Sequence, residues 1–423
     1  MLDTVEDHNK TADGHDNGCG PLDTGGHLGT TSTKQQIYEF IRAQGEVARV
    51  DISKHVGISA GSVTTITAEL IAAGLVNEVA GTARESEAVR GRPPVSLSIN
   101  PTSHHVLGIK LSTPHHSAVI MDMSGRMLAE VIMPCAYGHY DTKAICDFVD
   151  ALTAQALKQA GLGKSQIHMV GLGLPGFVDH SAGEVDWSPL IKGSNVGLRQ
   201  ILHDRIGLTV ELDNDANLLT LAELWFGAGR AMRDFAVVTI EHGIGMGLVI
   251  NNQLYRGARG MGMELGHTKV QLDGALCRCG QRGCLEAYVA DYALVREATT
   301  ALDMTGDENT EQIMSRLLQQ AKSGNEAAQS IFRRAGRYLA LGLANVLNLF
   351  DPSLIILSGD RIRYDYLYAD EVLRDMKLMT PNTRSGTTSI QAHQWGDLVW
   401  AQGAAALALS ATTTSIFETG SAE

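Results

Sequence analysis

Four potential metal ligands fall between Glu264 and Glu286, a stretch that reads Glu-Leu-Gly-His-Thr, a short loop, then Cys-Arg-Cys-Gly-Gln-Arg-Gly-Cys-Leu-Glu. They are His267, Cys277, Cys279 and Cys284, and glycines at 274, 280 and 283 permit the tight turns that converging thiolates need. One imidazole and three thiolates match the tetrahedral nitrogen and sulfur preference of Zn2+. Such a set fills all four positions and leaves none for water, so the zinc expected here is structural. Against the competing reading, a cluster of free buried cysteines, half of the chain's six cysteines occupy eight positions.

A second polar constellation lies upstream. Val210-Glu211-Leu212 reads as a strand that runs into Asp213-Asn214-Asp215-Ala216-Asn217 and then a helix through Phe226. A strand whose C-terminal end delivers polar side chains at a helix N-terminus is where α/β proteins place ligands. Ile167 to Gly173, ending in Gly171-Leu172-Gly173-Leu174-Pro175-Gly176, reads as a buried strand of the same kind.

These motifs need a scaffold, and 423 residues provide two or three domains. The composition, 44% hydrophobic and 19% charged, is ordinary for a soluble protein. The stretch Met-Leu-Asp-Thr-Val-Glu-Asp has neither a basic nor an apolar region, so no secretory leader is expected. No run approaches eighteen uncharged apolar residues, so no membrane span is expected. Six scattered and clustered cysteines in a chain this long point to metal in a reducing compartment, hence to a cytoplasmic location.

The net charge of −13 argues at first against nucleic acid, but the acid is unevenly distributed. Residues 1–30 carry six acids against Lys10, whereas residues 31–98 balance seven Lys/Arg against seven Asp/Glu. The first thirty residues, rich in Gly, Asp, His and Thr without apolar period, are expected to form a disordered tail.

From Thr33 the pattern becomes helical. Ile37, Phe40 and Ile41 share a face, Val47 to His55 gives a second short helix, and Ser59 caps a third that runs through Ala73 and buries Val63, Ile66 and Leu70. This is a helix-turn-helix arrangement, whose last helix can enter a major groove. Ser59, Ser62, Thr64 and Thr65, with Thr67 beside them, offer small hydroxyl side chains toward bases and phosphates. Two strands, Leu75 to Val79 and Val95 to Ile99, flank a polar loop and complete a winged helix over residues 31–98. The loop ends in Arg90-Gly91-Arg92-Pro93-Pro94, either a minor-groove contact through Arg90 and Arg92 or a stiff hinge.

Beyond His104 the chain is α/β. Hairpin, strand, helix and strand occur once over Val106 to Phe226 and again from Phe235, which implies an internal duplication.

Winged helix, Gly-Leu-Pro-Gly, Asp-Asn-Asp-Ala-Asn, Glu-Leu-Gly-His-Thr and the cysteine cluster together resemble the ROK family, over roughly residues 33–410. The chain is most similar to its sugar-responsive repressors of the NagC, Mlc and XylR type. The resemblance implies two actin-like (ribonuclease H-like) α/β lobes that close over a sugar. It places the smaller lobe over 104–213 plus about 395–423 and the larger, with its zinc loop, over 214–394. It further implies sugar contacts from Asn214, Asp215, Glu264, His267 and Glu286, groups suited to vicinal hydroxyls. His267 would serve twice, one ring nitrogen to zinc and the other to sugar.

The family also contains kinases, in which Asp215 would be the base. Their first phosphate loop reads Asp-x-Gly-Gly-Thr, but this chain has Lys110-Leu111-Ser112-Thr113-Pro114. Where Gly-Thr-Gly is usual it has Glu241-His242-Gly243, and where a diglycine holds adenosine it has Leu357-Ser358-Gly359-Asp360. An acid where phosphates would lie repels them. The expectation is a non-enzymatic, sugar-released repressor of operator DNA, acting as a homodimer or homotetramer; the alternative is an ATP-dependent sugar kinase with an appended DNA-binding domain.

Overall fold

The computed structural model describes residues 3–7, 18–22, 31–80, 95–302, 309–363, 370–381 and 388–419. β1 (Asp3–Asp7) pairs in parallel with a strand near the other end of the chain. Three helices follow: α1 (Thr33–Gln44), α2 (Arg49–Val56) and α3 (Ala60–Ala72). Ser32 and Ser59 start the first and third, each hydroxyl oxygen accepting a backbone N–H three residues on. Gly57, at φ +72, ends α2 in the left-handed region that glycine enters without strain. The second helix starts two residues later than its hydrophobic pattern suggests, because β2 (Glu46–Ala48) is drawn into a sheet of order β2-β4-β3 with β3 (Val76–Ala80) and β4 (Val95–Ile99). Ile37, Tyr38, Ile41, Ile52, Val63, Leu70 and Leu97 form the core of this module.

The expectation of a disordered tail over 1–30 is corrected for its described parts. Besides β1, residues 18–22 are bonded into the fold: Cys19 donates its N–H to the Arg42 carbonyl (3.0 Å), Gly20 to Trp225 (2.9 Å) and Leu22 to Arg230 (2.8 Å). Arg230 returns bonds to the carbonyls of Gly20 and Ala43, and Cys19 is fully buried. Local composition cannot reveal such an arrangement, because every partner is distant in sequence. The rest of 1–30 lies outside the described residues.

The two α/β regions repeat one topology. In the smaller lobe β5 (His105–Lys110), β6 (His115–Asp122) and β7 (Met127–Pro134) form an antiparallel meander. α4 (Thr142–Ala160) carries the chain back to β8 (Ile167–Leu174), parallel to β5. A small hairpin, β9 (Phe177–Asp179) and β10 (Glu184–Trp187), and α5 (Leu198–Ile206) precede β11 (Thr209–Asn214), which gives the order β11-β8-β5-β6-β7. After α6 (Asp215–Phe226) the larger lobe starts its own meander with β12 (Phe235–Ile240), β13 (Ile244–Ile250) and β14 (Gln253–Tyr255). The metal-ligand loop, α7 (Glu286–Val289), α8 (Asp291–Ala301), α9 (Thr310–Lys322) and α10 (Glu326–Phe350) then lead to β15 (Leu354–Ser358), α11 (Asp370–Leu378) and β16 (Ser389–Gln394). β15 and β16 add in parallel, so the second sheet repeats the first, with β1 at its edge. This is the two-sheet, actin-like α/β fold.

α6 and α12 (Val399–Thr419) form the layer between the sheets, packed so closely that a Cβ on Gly403 would strike the Leu218 backbone and one on Gly171 the Ala404 carbonyl. Their core is continuous with that of the N-terminal module: the rings of Tyr38 and Phe417 meet at a tilt, centroids 5.4 Å apart. Helices α4 and α5 cover the outer face of the first sheet, and α8 to α11 that of the second. Among the described residues no helix is long and apolar enough to cross a membrane.

Candidate functional site

The ligand-bearing loop folds as its glycines suggest. Gly280 and Gly283 take positive φ, and the ligand atoms of His267, Cys277, Cys279 and Cys284 all lie within 4.8 Å of one another. A tetrahedral ion with metal–sulfur bonds of about 2.3 Å sets its ligands roughly 3.8 Å apart. Cys279 Sγ and Cys284 Sγ are 3.7 Å apart, as are Cys277 Sγ and His267 Nδ1. The Lys269 ammonium lies 3.0 Å from Cys284 Sγ. The donor set therefore fits one tetrahedral metal ion.

The same loop feeds a cleft of about 1640 Å3 between the lobes, lined by all five residues assigned to sugar by resemblance: Asn214, Asp215, Glu264, His267 and Glu286. Asn214 caps α6, its Oδ1 accepting the Asn217 N–H (2.8 Å), and Asp215 follows as the first helical residue. Asp213, buried beneath them, receives Arg256 Nε at 2.7 Å and fixes the strand end. His267 turns Nδ1 to the cysteines and Nε2 to Glu264, 3.9 Å away. Glu286 accepts from the Tyr292 hydroxyl at 3.3 Å.

Two of the carboxyl groups in the cleft are pushed above their usual range. Burial pushes the Asp215 carboxyl above its usual range, opposed by the Lys110 charge. Burial, with the charges of Asp215 and Glu286, pushes Glu264 up to about 7.

Lys110, 7% exposed, lines the same cleft and sets its ammonium 3.5 Å from the Trp400 ring centroid. Arg361 is clamped by Asp291 (2.7 Å) and Glu311 (2.7 Å), and His242 adds a bond to Asp291 (3.1 Å) that raises the imidazole pKa. Sequence reasoning missed this network, whose members His242, Asp291, Glu311 and Arg361 lie on four separate segments, and missed Phe177 and Trp187 on the β9–β10 hairpin. The only signal for the hairpin was the exposed alternation around Gly183.

In the N-terminal module Ser59, Ser62, Thr64 and Thr65 are all exposed on one side of α3. Ser59 is committed to its cap, and Thr64 and Thr65 donate back to the carbonyls of Ala60 and Gly61. Thr67 is fully buried and accepts from Arg49 Nε (3.1 Å), so it leaves the exposed set. Arg90 and Arg92 lie outside the described residues.

Comparison with known proteins agrees with this geometry. The xylose repressor of Caldicellulosiruptor bescii is 28% identical over 77% of this chain and 82% of its own length. The glucokinase of Streptomyces coelicolor is 31% identical over 71% of this chain and 96% of its own. A crystal structure of a ROK family transcriptional regulator, a homolog of the E. coli MLC protein, superposes with a TM-score of 0.75 at 24% identity, covering 91% of this chain and 97% of that one. The ROK family model matches residues 106–411, and with the duplicated sheets and the ligand loop already described, the chain belongs to the ROK family.

Proposed function

We propose that this chain is a transcriptional repressor that binds operator DNA through its N-terminal module and releases it when a sugar enters the cleft. The observation that carries the reading is α6: its first residue, Asp215, lines the cleft, and Trp225 near its far end accepts the Gly20 N–H on its carbonyl and packs its ring under Arg42 of the N-terminal module. A ligand that shifts α6 therefore acts on that module directly. The xylose repressor supports a sugar as effector.

The N-terminal module serves as a winged helix-turn-helix, with α3 as the recognition helix. Ser62, Thr64 and Thr65 are short enough to let its backbone approach a groove, and Ser59 anchors its start. One small module makes too few contacts for specific binding at physiological salt, so the working species is a homodimer or homotetramer. Asn214, Asp215, Glu264, His267 and Glu286 bind sugar hydroxyls. A neutral polyol suits a cleft with three carboxylates, since it adds hydrogen bonds and no negative charge. His267, Cys277, Cys279 and Cys284 hold a structural Zn2+, which ties the loop that carries Glu264 and Glu286.

Phosphoryl transfer does not fit this cleft. Glycine-rich turns that could cradle a triphosphate are replaced by Ser112, Thr113 and Glu241. Lys110 is stacked on Trp400, and Arg361 is held by two carboxylates. The similarity to a glucokinase reflects the shared sugar-binding lobes.

The test is selection of bound duplexes from a random DNA library by the full-length protein, followed by titration of the selected duplex with a sugar panel, with and without Mg·ATP. Release by one sugar independent of ATP is expected. Sugar phosphate formed from ATP, or no duplex enriched, would overturn the reading.

A further inference from the structure

The cleft does not end at the carboxylates. Phe177 on β9 lies with its ring centroid 6.1 Å from that of His267, and Trp187 on β10 lies 5.9 Å beyond Phe177. The three rings make two successive contacts, Phe177 and Trp187 from the smaller lobe and His267 from the larger, and all three side chains line the same cleft. Trp187 is half exposed, yet its mounting is rigid. It pairs with Phe177 across the hairpin, and the next residue, Ser188, is buried, donating to the Pro175 carbonyl (2.7 Å) and accepting from the Leu190 N–H (3.1 Å). Gly176 passes so close to the Trp187 carbonyl that a Cβ there would collide with it. A large aromatic ring held open to water at a polar cleft is a surface prepared for a ligand face.

A pyranose presents hydroxyls around its rim and C–H bonds on its faces. The carboxylate and imidazole groups suit the rim of one ring, and Trp187 contacts Phe177, one aromatic ring removed from His267. Resting on the reading of this cleft as a sugar site, we propose that Phe177 and Trp187 form a second saccharide subsite, and that the effector is a glycosidically linked di- or oligosaccharide whose terminal unit occupies the Asp215, Glu264, His267 and Glu286 cluster.

Calorimetric titration of the full-length protein tests this, using glucose, xylose and N-acetylglucosamine beside cellobiose, maltose, xylobiose and chitobiose. One disaccharide is expected to bind about tenfold more tightly than its own monosaccharide, from the added aromatic contact. Trp187→Ala should remove that advantage and leave the monosaccharide affinity within about twofold, while Trp187→Phe keeps most of it. A monosaccharide that binds as well as every glycoside of it, or a Trp187→Ala variant that weakens both equally, would overturn the subsite while leaving the sugar reading intact. Failure of all seven sugars to bind would overturn both.

Discussion

Asp215 and Trp225 stand at opposite ends of α6, ten residues and therefore about 15 Å apart along a single rigid element. Asp215 opens into the cleft. Trp225 accepts the Gly20 N–H on its carbonyl and carries the Arg42 guanidinium 4.4 Å above its ring. α12 runs the same course, from Trp400 at the cleft to Thr413, whose hydroxyl takes the Arg42 Nη1 hydrogen bond at 2.7 Å. Arg42 thus joins both struts to the first helix of the N-terminal module.

If these struts carry the sugar signal, Arg42→Ala should uncouple the two ends. Allosteric couplings typically amount to about 1–3 kcal/mol, a 5- to 150-fold change in affinity. The variant is expected to bind sugar with near-normal affinity and to bind DNA, but to show little change in DNA affinity when sugar is added. Anisotropy titrations of a labelled duplex at zero and saturating sugar measure this, and an undiminished sugar effect would exclude Arg42 as the link.

At the cleft end, Asp215→Asn keeps the shape of the side chain and removes its charge. Hydrogen bonds to charged groups contribute about 1.5–3 kcal/mol, so sugar affinity should fall roughly 10- to 150-fold. DNA binding without sugar should persist, because Asp215 sits at the end of α6 remote from the contacts that Trp225 makes with Gly20 and Arg42. Calorimetry and a duplex-binding curve on the same preparation read both effects; equal loss of DNA binding would mean that the substitution disrupts α6 itself.

How far the sequence reveals this architecture depends on how local each feature is. The metal ligands fall within eighteen residues, and Asn214 and Asp215 follow a strand directly, so spacing alone places them. The duplicated meander is legible because each copy is contiguous. Contacts across hundreds of residues are not: Lys110 meets Trp400, Arg42 meets Thr413, and Cys19 joins a core that extends as far as Phe417. Thr67 shows the same limit on a smaller scale. A hydroxyl on α3 looks like surface until Arg49 is seen to satisfy it in the interior.

His116 should make the fold acid-sensitive. Its ring is fully buried against Phe148 (4.6 Å), with Nδ1 occupied by the Ser112 N–H (3.2 Å), and burial pushes the imidazole down to about 4. In the unfolded chain it protonates near 6.5. Between those values the unfolded state binds more protons, so stability falls as pH falls, by about 2 kcal/mol from pH 7 to pH 5 for this group. His116→Asn supplies an acceptor for the Ser112 N–H and does not titrate. Urea midpoints at the two pH values should draw closer in that variant; an unchanged gap would place the acid sensitivity elsewhere.

The proposed metal makes the sharpest demand on the ligand loop. Cys279 is the exposed member of the set, so Cys279→Ser removes a thiolate with little loss of packing and replaces it with a hydroxyl that is a poor zinc ligand. Binding energies of structural zinc are on the order of 10 kcal/mol, which leaves the loop between His267 and Cys284 dependent on the ion. Elemental analysis after dialysis should find one zinc per wild-type chain and little in the variant. Sugar affinity should fall with it, because Glu264 and Glu286 flank the loop and His267 belongs to both sites. A serine variant that retains a full equivalent of zinc would exclude Cys279 as a ligand, and one that loses zinc but keeps its sugar affinity would show that the loop holds its carboxylates without the ion.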